Sequence, residues 1–159
     1  MKRFLAALTI PLCLLLAACG AAKAPEPSAA PIIPEETGLE EINMKLFINE
    51  TEVPVTWEQN ESVAALRDLA RGGGLTVSMS MYGGFEQVGS IGQSLPREDR
   101  QTTTAAGDIV LYSGSQIVVF YGSNSWAYTR LGHVDLSPSE MTELLSNGDI
   151  TLRITEGGR

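Results

Sequence analysis

The sequence has few side chains of the kinds that bind transition metals or act as nucleophiles. Its 159 residues include one histidine, His133, and two cysteines, Cys13 and Cys19. It has no Gly-x-Ser-x-Gly segment that would mark a catalytic serine, and acidic fragments such as Asp149-Ile150-Thr151 lack the Asp-x-Asp spacing of a calcium loop. We therefore expect no metal site and no cofactor.

Runs of basic residues are also missing. The formal net charge is −8 at pH 7, and arginines are scattered among carboxylates, as at Arg67, Arg71, Arg97, Arg100 and Arg130. A protein that binds nucleic acid needs clustered lysines and arginines to neutralise phosphates, so we exclude nucleic acid as a partner. The acidity is better explained by solubility.

The N-terminus carries the longest apolar run. Lys2 and Arg3 precede the apolar residues 4–16, and small residues follow them. This run is shorter than the roughly 17–25 residues that a membrane-spanning helix needs. The three-part pattern is typical of an export signal.

The segment Leu16-Ala17-Ala18-Cys19, followed by Gly20, resembles the lipobox of bacterial lipoproteins. The resemblance implies that residues 1–18 are a signal peptide and that Cys19 becomes the first mature residue and carries lipid. The protein would then lie in a bacterial cell envelope, anchored to the outer side of the cytoplasmic membrane or to the outer membrane, and would face the periplasm or the exterior. The alternative is an ordinary signal peptide that leaves Cys19 as a free thiol.

The lipobox also sets the domain organisation. With residues 1–18 removed and Cys19 modified, no cysteine is left for a disulfide or a nucleophile. Residues 19–42 are rich in Ala, Pro and Glu and have no apolar periodicity, which predicts a disordered tether. Residues 43–157 have enough length and enough apolar side chains for one domain with a single core.

Apolar periodicity in residues 43–157 predicts mostly strands. One helix follows Asn60 and ends at the glycines 72–74, and another begins at a capping box formed by Ser137 and Glu140. Alternating or continuous apolar residues predict strands within 44–48, 53–57, 75–81, 85–91, 108–112, 116–122, 126–134 and 150–154. Eight mostly antiparallel strands lose their free edges by closing into a barrel, which we expect the two helices to cap.

Several phrases in this order resemble the small bacterial cyclophilin-like proteins, a family distinct from the cyclophilins that isomerise proline bonds. They are "TVSMSMYGGFEQVGSIG", "SLP", "AAGDIVLYSGSQIVVFYGS", "YTRLGHVD" and "LLSNGDITLRI". The resemblance covers nearly all of residues 43–157 and implies a closed eight-stranded barrel with two capping helices, without an agreed activity. Cyclophilins that isomerise proline bonds use an arginine on a strand after the first helix. The corresponding region here, "LTVSMSMYGGFEQVG", contains neither His nor Arg.

The segment "SNSWAYTRLGHVD" concentrates the rarer residue types. In a regular strand Trp126, Tyr128 and Arg130 share one face, which predicts a platform for an extended peptide, a carboxylate or a planar ligand. The same alternation puts Leu131 and His133 on the opposite face. In a competing interpretation, Trp126 and Tyr128 pack under a helix and Arg130 pairs with an acidic residue at the barrel rim.

A glycine-bounded loop supplies further candidates for the edge of a pocket, namely Tyr82, Phe85 and Glu86. His133 is a conceivable general base with Asp135 near it, but the sequence offers no nucleophile for it to activate. A structural role for this histidine is therefore favoured, and we assign no catalytic residue.

Taken together, these features favour a membrane-anchored, non-catalytic binding or accessory domain. Its ligand would be a peptide, a protein or a small molecule held at the barrel. One alternative is a weak peptidyl-prolyl isomerase, although the fold by itself does not carry that activity. A second alternative is an accessory to a flavodoxin-like redox partner, because relatives of the family occur alongside such proteins.

Overall fold

A computed structural model describes residues 43–157. The predicted signal peptide, Cys19 and the predicted tether lie outside the described residues. The two helices are α1 (Glu61–Ala70) and α2 (Pro138–Leu145). The strands of the described part are β1 (Met44–Ile48), β2 (Thr51–Val53), β3 (Val55–Trp57), β4 (Leu75–Tyr82), β5 (Glu86–Ser90), β6 (Arg100–Thr103), β7 (Asp108–Tyr112), β8 (Gln116–Phe120), β9 (Ser125–Val134) and β10 (Ile150–Glu156).

The strands form a nearly closed antiparallel barrel. Their hydrogen-bonded order is β2-β1-β10-β4-β5-β8-β7-β9-β3, and β6 pairs with β9 outside this path. The first and last strands of the path are consecutive segments that meet at Pro54, where the chain changes its partner from β1 to β9. Proline has no backbone N–H to donate, so it is suited to such a break. The predicted mainly β barrel with two helices is confirmed, and Pro54 divides one predicted strand into two.

The barrel interior holds the main hydrophobic core. Both helices contribute to it, as do strands from all sides: Leu46, Leu66, Leu131, Leu145 and Leu152 are fully buried in one cluster. Fully burying a leucine side chain stabilises a fold by about 1.5–3 kcal/mol, so these contacts fix the helices against the sheet. No helix within residues 43–157 is long and apolar enough to cross a membrane.

A second, smaller apolar cluster lies on the outer face of the sheet. Its buried members are Val110, Val118, Phe120 and Tyr128, from β7, β8 and β9. In β7 and β8 these residues alternate with residues of the main core, which explains why the two strands are apolar on both faces.

Both helices begin where the capping residues predict. The side chain of Asn60 accepts a hydrogen bond from the amide of Val63 at 2.9 Å. Ser137 and Glu140 form the predicted capping box, in which the Glu140 carboxylate accepts from the Ser137 amide at 2.8 Å. These bonds satisfy backbone donors that a helix leaves free in its first turn.

The strand β6 was not predicted from the sequence. Residues of β6 are polar and mostly exposed, so they show no apolar alternation. Their backbone nevertheless pairs with β9, from Arg100 opposite Tyr128 to Thr103 opposite Ser125. Strand pairing here depends on the backbone of β9, which no local pattern in residues 100–103 reveals.

Gly132 is a sensitive point of the barrel closure, because it lies in β9 between Ile109 of β7 and Trp57 of β3. A Cβ at this position would lie 2.6 Å from the carbonyl oxygen of Thr56. We expect Gly132→Ala to lower the free energy of unfolding by about 1–3 kcal/mol, because backbone must move to relieve the overlap. Urea denaturation measures this loss.

The matched control is Gly73→Ala. A Cβ at Gly73 meets no described atom within 4 Å. We expect this substitution to leave stability unchanged or to raise it by up to about 1 kcal/mol. Equal midpoints for the Gly132 and Gly73 variants would contradict the tight closure between β3 and β9.

Candidate ligand-binding site

Strand β9 carries an irregularity that decides which side chains meet. Val110 pairs with Arg130, while the preceding residue, Ile109, pairs with Gly132. Leu131 is therefore an extra residue on β9 and forms a β-bulge. Beyond a bulge the alternation of side chains between the two faces is displaced by one residue.

The predicted position of His133 is therefore wrong. Trp126, Tyr128 and Arg130 precede the bulge, and Tyr128 lies in the outer-face cluster. Leu131 lies in the main core, but His133 does not share its face. The histidine ring instead lies beside the carboxylate of Asp108, which Arg130 also contacts.

Asp108 joins Arg130 and His133 through its carboxylate. Arg130 Nη2 lies 2.8 Å and His133 Nδ1 3.0 Å from Oδ1, while the amide of Ala105 donates to Oδ2 at 2.9 Å. Burial acts to raise the pKa of Asp108, but the hydrogen bonds from Ala105, Arg130 and His133 outweigh it, so the pKa lies below its ordinary value. Asp108 is thus an ionised structural partner of both basic side chains.

The structure therefore gives Arg130 the ion-pair role of the competing interpretation. Besides Asp108, its Nε lies 3.4 Å from Oε1 of Glu58. These carboxylates hold the pKa of Arg130 above its ordinary value against the opposing effect of burial. Asp135 is not the partner of His133, since its carboxylate accepts a hydrogen bond from Thr56 at 2.8 Å.

A pocket of about 360 Å³ opens on the outer face of the barrel, and we call it the aromatic pocket. Its lining comes from β4, β5, β7, β8 and β9 and from the residue before β9: Tyr82, Glu86, Val88, Tyr112, Gln116, Val118, Asn124, Trp126 and Tyr128. Four of the six residues that the sequence predicted for a ligand site or its edge meet here, namely Tyr82, Glu86, Trp126 and Tyr128. The other two, Phe85 and Arg130, do not line this pocket.

Aromatic rings form much of this lining. Tyr128 is buried and packs edge-to-face against Tyr112 and Phe120, with ring centroids 6.0 Å and 5.8 Å away. Its hydroxyl accepts a hydrogen bond from the Asn124 side chain at 3.1 Å. The competing interpretation placed Trp126 and Tyr128 under a helix, but Trp126 is 57% exposed and Tyr128 packs in the outer-face cluster. Tyr82 is 67% exposed. The pocket thus combines rigid buried rings with two exposed rings that a ligand can cover.

Glu86 places a carboxyl group in this apolar surrounding. It alternates on β5 with Gln87, whose side chain amide donates to the carbonyl oxygens of Leu145 and Gly148. Glu86 is 6% exposed, and among residues 43–157 its Oε2 has no hydrogen-bond partner. Burial raises the pKa of Glu86 above its ordinary value. Burial and the nearby charge of Glu86 also raise the pKa of Tyr128.

Arg130 lines a second, larger pocket of about 520 Å³, which Tyr128 also borders. Much of its lining is charged, and its arginines are paired with acidic residues: Arg130 with Glu58, Arg100 with Glu98, and Arg97 with Asp99. Because these arginines are already paired with carboxylates, we place the candidate ligand-binding site in the aromatic pocket.

The other five residues that line the aromatic pocket were not predicted from the sequence: Tyr112, Gln116, Val88, Val118 and Asn124. The residues of β7 and β8 are apolar on both faces of these strands. This pattern indicates that other residues pack on the outer face. It did not indicate that the outer face carries a pocket. Within the part of the chain that the structure describes, no three His, Cys, Asp or Glu side chains converge to hold a metal ion.

A comparison with models of protein families agrees with this fold. A model of the cyclophilin-like family matches residues 46–155. The solved structure of McbB in complex with tryptophan is similar with a TM-score of 0.47 and 14% sequence identity. That alignment covers 73% of this chain and 45% of the McbB chain, so this chain spans less than half the length of that protein. A search of curated proteins found no match.

Proposed function

We propose that this chain, which belongs to the cyclophilin-like family, is a non-catalytic binding domain that holds a peptide or small molecule in the aromatic pocket. We further propose that lipid on Cys19 anchors the domain to a membrane of the bacterial cell envelope. The observation that carries the first proposal is the pair of exposed rings, Tyr82 and Trp126, above a buried apolar floor.

The size and lining of the aromatic pocket support this proposal. Sites for small ligands measure about 300–1,000 Å³ and combine apolar walls with a few polar groups. The aromatic pocket has about 360 Å³, apolar walls at Val88 and Val118, and polar groups at Glu86, Gln116 and Asn124. Exposed aromatic side chains grouped at one opening are a common mark of a binding surface.

A binding role is favoured over the isomerase alternative by the position of Arg130. An isomerase must aim a donor at the twisting amide to lower a barrier of about 20 kcal/mol. Arg130 donates to Asp108 and Glu58 and does not line the aromatic pocket. The isomerase and redox-accessory alternatives stay hypotheses. An assay of proline-peptide isomerisation, repeated with Arg130→Ala, tests the first of them.

Peptide binding in the aromatic pocket is testable through the fluorescence of Trp126. The chain has two tryptophans, and subtracting the spectrum of Trp126→Phe removes the part due to Trp57. We expect at least one member of a panel of blocked peptides with apolar, basic, acidic and proline residues to shift the difference spectrum to shorter wavelength, because binding removes water from the exposed indole.

The control is Tyr121→Phe, which changes an aromatic residue outside the lining of the pocket. This variant should bind the selected peptide as the wild type does, whereas Tyr82→Ala should bind it several-fold more weakly. A folded wild-type protein whose Trp126 responds to no peptide in the panel and to no small ligand would overturn the binding function.

A further inference from the structure

The aromatic pocket holds one charged side chain, that of Glu86, among the nine residues that line it. The residue is 6% exposed, and its Oε2 is buried and has no hydrogen-bond partner within residues 43–157. Burying an ionised carboxylate without a partner is costly, and the usual remedies are a cation or a proton. The buried carboxylate of Asp108 differs from that of Glu86, because it contacts Arg130, His133 and a backbone amide.

Four aromatic side chains line the same pocket: Tyr82, Tyr112, Trp126 and Tyr128. The faces of such rings attract ammonium groups, and cages of aromatic side chains recur where proteins recognise them. No lysine, arginine or histidine of the described residues lines this pocket to occupy the site itself. The ring surfaces and the carboxyl group therefore favour the same kind of ligand charge.

We infer that the aromatic pocket takes a ligand with a protonated amine on an apolar or aromatic body. The ammonium group pairs with the carboxylate of Glu86, and the body of the ligand lies against Val118 and the exposed rings of Tyr82 and Trp126. This inference rests on the proposed binding function and adds the chemical class of the ligand. A lysine side chain of a peptide and a free organic amine share this chemistry.

The affinity of the aromatic pocket for an amine should depend on pH. Burial raises the pKa of Glu86 in the free protein, and a bound ammonium favours the ionised form. Affinity for an amine should therefore decrease as the pH falls through the raised pKa of Glu86. The other titratable groups of the lining are the phenols of Tyr82, Tyr112 and Tyr128.

The experiment compares three probes of similar shape by calorimetric titration of the full chain: 2-phenylethylammonium, 2-phenylethanol and 3-phenylpropanoate. We expect the ammonium to bind about ten-fold more tightly than the alcohol or better, and the carboxylate to bind most weakly. The blocked peptide acetyl-Ala-Lys-Ala-amide is the second arm. Tighter binding of this peptide than of the free amine identifies a lysine side chain as the source, and the reverse order identifies a free amine.

Glu86→Gln is the decisive variant, because it keeps the shape and removes the charge. We expect it to weaken ammonium binding about ten-fold and to change alcohol binding less than three-fold. Glu143→Gln, on the exposed surface of α2, makes the same change of net charge and should bind both probes as the wild type does. Glu86→Gln should also resist urea at least as well as the wild type at pH 7, because it no longer buries an unpaired carboxylate, so lost binding would not reflect unfolding.

Three outcomes would overturn the inference. If the alcohol binds the wild type as tightly as the ammonium, or if Glu86→Gln binds the ammonium unchanged, then the carboxyl group does not select the ligand. Both results would leave the proposed function intact, since a probe still binds. If none of the probes binds, the ammonium inference is wrong, and the peptide panel with the Trp126 readout decides the proposed function separately.

Discussion

Replacing Cys19 by serine is expected to move the protein from the membrane fraction to the soluble fraction of the producing cells. A thioether-linked diacylglycerol supplies two acyl chains, and each buried methylene contributes about 0.8 kcal/mol of membrane affinity. Serine cannot form the thioether, so the whole of this affinity is lost. Cell fractionation followed by immunodetection measures the redistribution, and mass spectrometry of the membrane-bound wild type measures the lipid itself.

The matched control is Cys13→Ser, which changes the other cysteine of the chain, inside the predicted signal peptide. This variant should be processed and retained in the membrane as the wild type is. An unmodified Cys19 in the membrane-bound protein, or a mature chain that still begins at residue 1, would contradict lipid anchoring. That result would favour the ordinary signal peptide.

Asp108→Asn is expected to lower the free energy of unfolding by about 2–3 kcal/mol at pH 7. The substitution keeps the size of the side chain but removes the charge that Arg130 and His133 share and turns a donor toward one of them. Breaking a fully buried ion pair costs more stability. The expected loss is smaller here because Arg130 is 38% exposed and keeps Glu58 as a partner. Urea denaturation measures it.

The pH dependence of this loss identifies its electrostatic origin. The pKa of Asp108 is lower in the folded protein than in the unfolded chain, so its charge contributes stability above the unfolded pKa of about 4. That contribution is lost as the pH falls through the folded value. The difference between wild type and Asp108→Asn should therefore be full at neutral pH and shrink below about pH 4.

Asp135→Asn is the control for this prediction, because Asp135 is exposed and accepts one hydrogen bond from a neutral side chain, that of Thr56. We expect it to cost less than about 1 kcal/mol at pH 7. Equal losses for the two variants, or a loss at Asp108 that persists in acid, would show that Asp108 does not act through its charge.

Local patterns predicted the elements of this fold wherever the cause of the structure is local. Asn60 and Ser137 cap the two helices because the groups that they bind lie three residues along the chain. Alternation within β4 and β10 follows from the period of a strand, and the buried residues Val77, Met79, Leu152 and Ile154 obey it. The barrel was predicted from the number of strands and the cost of free edges.

The bulge at Leu131 had no such local cause. Its presence depends on how β9 pairs with β7, and the two strands are separated along the chain by β8. The alternation that holds from Trp126 to Arg130 therefore predicted the wrong face for His133. In the same way, β6 is a strand because β9 offers it backbone partners and not because its own residues favour one.

The sequence alone thus determined the class of fold and the two helix starts, because periodicity and capping act between near neighbours. It also named four of the side chains that line the aromatic pocket as candidates. The three-dimensional arrangement decided that Arg130 forms an ion pair with Asp108 and that Oε2 of Glu86, a residue of the aromatic pocket, has no hydrogen-bond partner within residues 43–157. Both outcomes depend on contacts between residues far apart in the chain. Those contacts exist only once the barrel has closed.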